Sequence, residues 1–140
     1  MKTRARIDRR ALAFDWGEKH IGVATGQTAT RTATPLAHLR ARDGIPDWDA
    51  VGRLLEEWKP DVVVVGLPTD LDGTEGVMAP RAQKFGRRLA GRFDVIVEFQ
   101  DERLSTREAY ARTEPGDDPD SLHAIAAQVI LEDWLNEQTA

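Results

Sequence analysis

Asp15 ends the apolar stretch Ala11-Leu12-Ala13-Phe14 and is followed at once by Trp16-Gly17. A carboxylate at the end of a buried strand costs free energy unless something cationic meets it, and Gly17 lets the chain turn sharply just beyond. Such a group suits holding a divalent metal against a phosphate. A second acidic pair, Asp101-Glu102, closes another apolar run, Val95-Ile96-Val97-Glu98-Phe99-Gln100. Asp120 and His123 lie three positions apart at the head of a helical pattern, so they share one face. Metal-assisted phosphodiester cleavage needs hard oxygen ligands from separate elements, converging on one or two Mg²⁺ or Mn²⁺ ions. Asp15, Asp101, Glu102 and Asp120 are candidates for such a site. Imidazole suits Mn²⁺ better than Mg²⁺, so His123 is a candidate ligand or a candidate acid or base.

Each of these residues also has a purely structural reading. Asp15 could accept turn amides, Asp101 and Glu102 could pair with Arg103, and Asp120 could be a helix N-cap beside a half-buried His123. His20 and His38 have no partners at metal spacing, and Trp16, Trp48, Trp58 and Trp134 read as core or rim residues. Gly66-Leu67-Pro68-Thr69-Asp70-Leu71-Asp72-Gly73-Thr74-Glu75-Gly76 bridges a strand and a helix N-terminus, where backbone amides could meet phosphate. It lacks the glycine spacing and the Lys-Ser/Thr of a nucleotide loop, and a structural turn is its default.

The elements that must position these groups follow from apolar periodicity. Residues 11–15, 20–26 and 29–36 read as three consecutive strands with tight turns, an antiparallel meander. A loop with Asp43-Gly44 and Pro46 leads to a helix over 47–58, whose Val51, Leu54, Leu55 and Trp58 follow helical spacing and which Pro60 stops. Val62-Val63-Val64-Val65 is a continuous apolar run, as in a central strand covered on both faces. A helix over 75–91 carries Met78, Ala82, Phe85 and Leu89 on one stripe, and a strand follows at 95–100. Ser105-Thr106-Arg107-Glu108 is a capping-box pattern. A last helix over 120–136 is apolar around most of its circumference and should be well buried. The order β-β-β-α-β-α-β-α implies an α/β fold: a mixed sheet, meander plus parallel strands, with helices on both faces. Sites in such sheets form at the carboxyl ends of central strands, where Asp15, Gly66-Leu67-Pro68 and Asp101-Glu102 fall.

Composition narrows the function. The 140 residues, 41% hydrophobic and 31% charged, fit a single domain over 1–140. No apolar run approaches the roughly 20 residues of a membrane span, so no membrane partner is expected. The lack of cysteine rules out disulfides and thiolate metal sites and agrees with a reducing cytoplasm. The net charge of −5 argues mildly against a nucleic-acid partner, but its distribution matters more. Basic residues gather at Lys2, Arg4, Arg6, Arg9 and Arg10, at Arg81, Lys84, Arg87, Arg88 and Arg92, and at Arg103, Arg107 and Arg112, while acids collect toward the C-terminus. These groups read either as a phosphate-binding tract or as solvated helix faces.

Four motifs in order, Ala13-Phe14-Asp15-Trp16-Gly17 with Ile21-Gly22-Val23-Ala24, Val65-Gly66-Leu67-Pro68 with Asp72-Gly73-Thr74-Glu75, Asp101-Glu102-Arg103-Leu104-Ser105-Thr106, and Ala126-Ala127 with Ile130-Leu131-Glu132, carry a resemblance across nearly the whole chain. The chain resembles the bacterial YqgF/RuvX family, described as Holliday-junction-resolvase-like proteins and as nucleases of the pre-16S ribosomal RNA 5′ end. The resemblance implies a ribonuclease-H-like fold and an active site containing Asp15 and the Asp101/Glu102 pair. That family usually has an aspartate where His123 stands and basic residues in the loop that here reads Glu114-Pro115-Gly116-Asp117-Asp118-Pro119. Resolvases of the same fold carry two metal-binding side chains spaced as Asp120 and His123 are, and histidine can fill one of those places.

The sequence thus points to a metal-dependent endonuclease acting on structured nucleic acid, with precursor 16S ribosomal RNA as the expected substrate and association with ribosomal particles. Asp15 and Glu102 would hold Mg²⁺ or Mn²⁺ with Asp101 in support, and Asp120 and His123 would complete the shell or move protons. Arg81, Lys84, Arg88, Arg103 and Arg107 would hold the phosphate backbone, contacts that give position rather than sequence choice. Cleavage of four-way DNA junctions would use the same residues. A non-catalytic RNA-binding or ribosome-assembly factor is the reading from a different class. An actin-like ATPase needs two such domains, and 140 residues supply one.

Overall fold

The strand β1 (Arg10–Asp15) is apolar on both faces because it lies at the heart of the sheet. Its Ala11–Phe14 are fully buried. β2 (His20–Gln27) pairs with it antiparallel on one side and β5 (Val62–Leu67) parallel on the other. β3 (Thr32–Arg42), the short β4 (Ile45–Pro46) and β6 (Val97–Asp101) complete a six-stranded sheet in the order β4-β3-β2-β1-β5-β6. The computed structural model describes residues 8–68, 78–102 and 105–138. Its helices are α1 (Trp48–Trp58), α2 (Met78–Phe93), α3 (Ser105–Arg112) and α4 (Ser121–Glu137).

Alternation along β1 and β5 divides the core into two layers. Leu12, Phe14, Val63 and Val65 face α1 and α2, packing with Val51, Leu55, Ala82, Phe85 and Leu89. Ala11, Ala13, Val62 and Val64 face α4, meeting Ala127, Ile130, Leu131, Trp134 and Leu135. The two faces differ in the size of the side chains. On the α4 face the floor along β1 and β2 is alanine and glycine, and the helix descends there until backbone meets backbone. A Cβ on Gly22 would collide with the His123 carbonyl, and one on Gly26 would lie 2.6 Å from the Thr32 carbonyl oxygen and 3.0 Å from Leu131 Cδ2. This burial explains why α4 is apolar nearly all round rather than along one stripe.

Local signals set the remaining boundaries. Asp47 caps α1 by accepting the Asp49 N–H at 2.9 Å, and Lys59, left-handed at φ 44°, donates its N–H back to the Leu55 carbonyl just before Pro60. The third strand departs from expectation, running Thr32–Arg42 rather than 29–36. Pro35 sits at an irregularity where Val23 pairs Ala37 and Ala24 pairs Pro35, leaving Leu36 as the extra residue. A bulge absorbs the missing N–H, and the strand continues. Asp43 and Gly44, both at positive φ (51° and 80°), then turn the chain into β4. That is a hairpin turn where a plain loop was expected. α3 and α4 are separate helices on the way out of β6. The expected start of α2 at 75 and most of the Gly66–Gly76 bridge lie outside the described residues, as does the Ser105 side chain of the capping box, while Glu108 accepts from Arg112 Nε at 3.0 Å.

Gly22→Ala is expected to lower folding stability by about 3 kcal/mol, at the upper end of ordinary overpacking costs because the obstacle is helix backbone rather than a movable side chain. Urea unfolding of the two proteins checks this; an unchanged midpoint would show that α4 can rise off β2.

Candidate active site and a histidine cluster

Asp15 is the last residue of β1, on the face that Ala11 and Ala13 turn toward α4. Its neighbour across β2 is Gly22. On the β5 side Phe14 pairs Val65, so Gly66 comes level with Asp15. Glu102 follows β6, anchored by its backbone N–H to the Leu67 carbonyl at 3.1 Å. Its carboxylate reaches back over Gly66, where a Cβ would strike Glu102 Oε2 and would lie 2.6 Å from Ile130 Cδ1. The absence of a side chain at residue 66 is therefore what lets Glu102 approach Asp15.

The two carboxyls are in hydrogen-bond contact, and both hold protons more tightly than usual. Burial raises Asp15 from 3.8 to about 6, against the lowering effect of its hydrogen bond with Glu102. Glu102 rises from 4.5 to about 9 through burial first, then the charge of Asp15, their hydrogen bond and the charge of Asp101. Like charges pressed together out of water titrate as a pair, retaining one proton at neutral pH. Glu102 Oε2 is moreover buried with no hydrogen-bond partner. Hard oxygens from two elements, short of a counter-charge and a donor, fit a divalent cation. Asp101 is exposed at the end of β6, and alternation turns it to the opposite face, so it acts on Glu102 through its field.

Asp120 and His123 are held elsewhere on the same face. Asp120 stands at the head of α4 with helical dihedrals and makes no capping hydrogen bond; instead its Oδ2 lies 3.6 Å from His38 Nδ1. His123 stacks on His20, centroids 4.4 Å apart and planes at 14°, and on His38 at 5.2 Å and 20°. His20 Nδ1 and His38 Nε2 share a hydrogen bond of 2.7 Å. Each of the four residues offers a ligand atom within 4.8 Å of the others, and Asp15 and Glu102 are not among them. The expectation that His20 and His38 lack partners at metal spacing is thus overturned. His38 pairs across from Gly22 and His20 lies two residues back on the same face, a juxtaposition set by strand register and by the descent of α4. Burial, and then the charges of His20 and His38, lower the pKa of His123 from 6.5 against an opposing Asp120, so its ring is neutral at neutral pH.

The expected phosphate contacts are divided. The Arg81 guanidinium is bound to Glu18 at 2.8 Å and Asp43 at 3.0 Å and lies 5.2 Å over the Trp16 ring. With its donors so engaged, it serves as a tie between α2 and the β3–β4 turn. Lys84 and Arg88 are exposed and line a surface hollow with Trp16, Gly44 and Phe85, on the face away from Asp15. Arg107 is exposed on α3. Arg103 lies outside the described residues. Trp16 and Trp134 are buried as core residues.

A central strand ending in an acid, an antiparallel meander on one side, parallel strands on the other and a second acid after the last of them make this a ribonuclease-H-like fold. Solved structures share it: T. thermophilus RuvC in complex with Holliday junction substrate (TM-score 0.54, 14% identity, covering 93% of this chain and 95% of that one) and Fowlpox virus resolvase with Holliday junction DNA (TM-score 0.51, 15% identity, 90% and 98%). Sequence comparison goes further. The model of the RuvX family, described as Holliday junction resolvase, matches residues 9–137. Relatives from Aeromonas salmonicida (52% identity, 93% of this chain and 96% of theirs) and Pectobacterium carotovorum (53%, 93% and 97%) bear the name "Putative pre-16S rRNA nuclease". The chain belongs to the RuvX family, and with it to a class of hydrolytic nucleases. Among the described residues no helix is long and apolar enough to cross a membrane.

The carboxyl pair makes stability pH-dependent in a definite direction. Glu102 binds its proton more tightly folded than unfolded, so its contribution is whole below pH 4.5 and is lost as pH rises through about 9. Glu102→Gln is therefore expected to stabilise the metal-free protein by about 1–3 kcal/mol at pH 8 and to have no effect near pH 4. Denaturant midpoints across that range, taken in chelator, provide the check.

Proposed function

We propose that this protein is a metal-dependent endonuclease that matures the 5′ end of precursor 16S ribosomal RNA in the cytoplasm, in company with ribosomal particles. The observation that carries the reading is the Asp15–Glu102 pair, two buried carboxyls forced together with one oxygen unpartnered. Such an arrangement costs stability and serves no packing need.

Asp15 and Glu102 would hold Mg²⁺ or Mn²⁺, which supplies Lewis-acid polarisation of the phosphodiester and of the attacking water. The chain's own groups do the rest. Glu102 carries the shared proton in the metal-free pair and would have to release it to serve, with Asp15, as an anionic ligand. Asp101 adds negative field from the far side of the strand. His123, neutral near pH 7, stands with Asp120, His20 and His38 in a cluster on the same face of the sheet. Lys84, Arg88, Arg103 and Arg107 are the cations offered to backbone phosphates. A 5′-phosphate and a 3′-hydroxyl are the products expected of a nuclease of this fold.

Cleavage of branched DNA is a second reading, favoured by the fold shared with two junction-bound resolvases. Purified protein should be given a precursor RNA and a four-way DNA junction side by side in Mn²⁺. RNA cleavage at the mature 5′ end, reduced at least about 1,000-fold by Asp15→Asn with the fold intact, is the expected result. Preference for the junction would move the substrate to DNA, and tight RNA binding without turnover in any metal would make the protein an assembly factor.

A further inference from the structure

The chain has three histidines, and all three meet at one point. They come from β2, β3 and α4, and a carboxylate from the head of α4 joins them. Nothing in the packing demands this. The rings stack on one another rather than on the apolar core, and Asp120, placed to cap its helix, turns to His38 instead.

We propose that His20, His38, His123 and Asp120 form a closed four-ligand site for a Zn²⁺-class transition metal, separate from the Asp15–Glu102 pair, which clamps the first turn of α4 onto the β2–β3 hairpin. Three imidazoles and a carboxylate make a donor set for borderline ions such as Zn²⁺ or Co²⁺, whereas two carboxylates suit Mg²⁺ or Mn²⁺. A tetrahedral ion with bonds of about 2.0 Å sets its ligands roughly 3.3 Å apart. The four donor atoms already lie within 4.8 Å of one another, and turning the stacked His20 and His123 rings out of parallel closes the site. Asp15 pairs Gly22, and Gly22 pairs His38, so the His38 backbone stands two strand spacings, about 10 Å, from Asp15, while His123 lies over Gly22, one spacing away. Its four ligands come from β2, β3 and the head of α4, with none from β1 or β6, so the histidine-bound ion braces the fold. The proposal stands whether or not the protein cleaves RNA.

The test uses the full chain stripped with chelator. Zn²⁺ is titrated by calorimetry in excess Mg²⁺, and the imidazole resonances of the three histidines are followed by NMR. One tightly bound Zn²⁺ per chain is expected, moving all three imidazoles and raising the melting temperature by several degrees, while Mg²⁺ moves none of them. His38→Ala and the milder His20→Gln should each weaken Zn²⁺ at least about 100-fold, beyond the 10–100-fold typical of outer-shell losses. The double variant Asp15→Asn/Glu102→Gln should bind Zn²⁺ as the wild type does. Zn²⁺ binding that disappears in the carboxylate variant but survives in His20→Gln would overturn the proposal. Silent imidazoles in wild-type protein at saturating Zn²⁺ would do so too, and that readout holds even if His38→Ala does not fold.

Discussion

The close approach of α4 to the sheet governs this molecule. A helix separated from β2 by ordinary side chains would stand clear of it; here Gly22, Gly26, Ala11, Ala13 and Ala24 leave the floor almost bare. The helix settles with the His123 carbonyl against Gly22 and Leu131 against Gly26. Its first turn then reaches the histidines of β2 and β3. Further along, Ile130 roofs Gly66 where Glu102 passes beneath, Trp134 Nε1 donates to Glu98 Oε1 at 2.9 Å, and Glu137 accepts from Gln100 at 2.8 Å. One helix thus covers the sheet diagonally and bounds both polar sites on that face.

The opposite face works by different means. There the large side chains Leu12, Phe14, Val63 and Val65 fill the space under α1 and α2, and charges are matched rather than crowded. Arg81 answers Glu18 and Asp43, and Arg92 lies 4.4 Å over Trp48. The contrast bears on where function resides. Exposed ion pairs of that kind contribute little either way, whereas two carboxyls sharing a proton below the surface are a standing destabilisation that only a ligand relieves. A protein tolerates such a group when the ligand is part of its work.

Much of this was legible in the sequence, and the remainder was hidden for identifiable reasons. Val62–Val65 announces a central strand because both its faces are covered, and Asp47 and Pro60 bracket α1 through chemistry confined to a few residues. Asp15 and Glu102 could be paired as candidates because each follows an apolar run, and sheets of this type gather strand ends. The third strand extends past 36 through a bulge at Pro35, and a bulge is a property of two strands that cannot be seen in one. The histidine cluster misleads more deeply. His20, His38 and His123 share no helical or strand spacing; they meet through an antiparallel register and a helix whose height is set by a missing Cβ. The signal available beforehand was Gly22, which sits between them in space but reads locally as an ordinary strand glycine.

The placement of His123 changes what the carboxylate pair can be. An aspartate in its place would add a third hard ligand beside Asp15 and Glu102, but the imidazole is held by His20 and His38 instead. On the proposed nuclease reading, two carboxylates are then the protein's main offering to Mg²⁺, an ion that demands six oxygens and keeps those it lacks from water or from substrate phosphate. The metal-free pair keeps its proton, since burial disfavours a second negative charge. Substrate phosphate would supply oxygen ligands that two carboxylates lack, so metal and nucleic acid are expected to bind with a mutual gain in affinity.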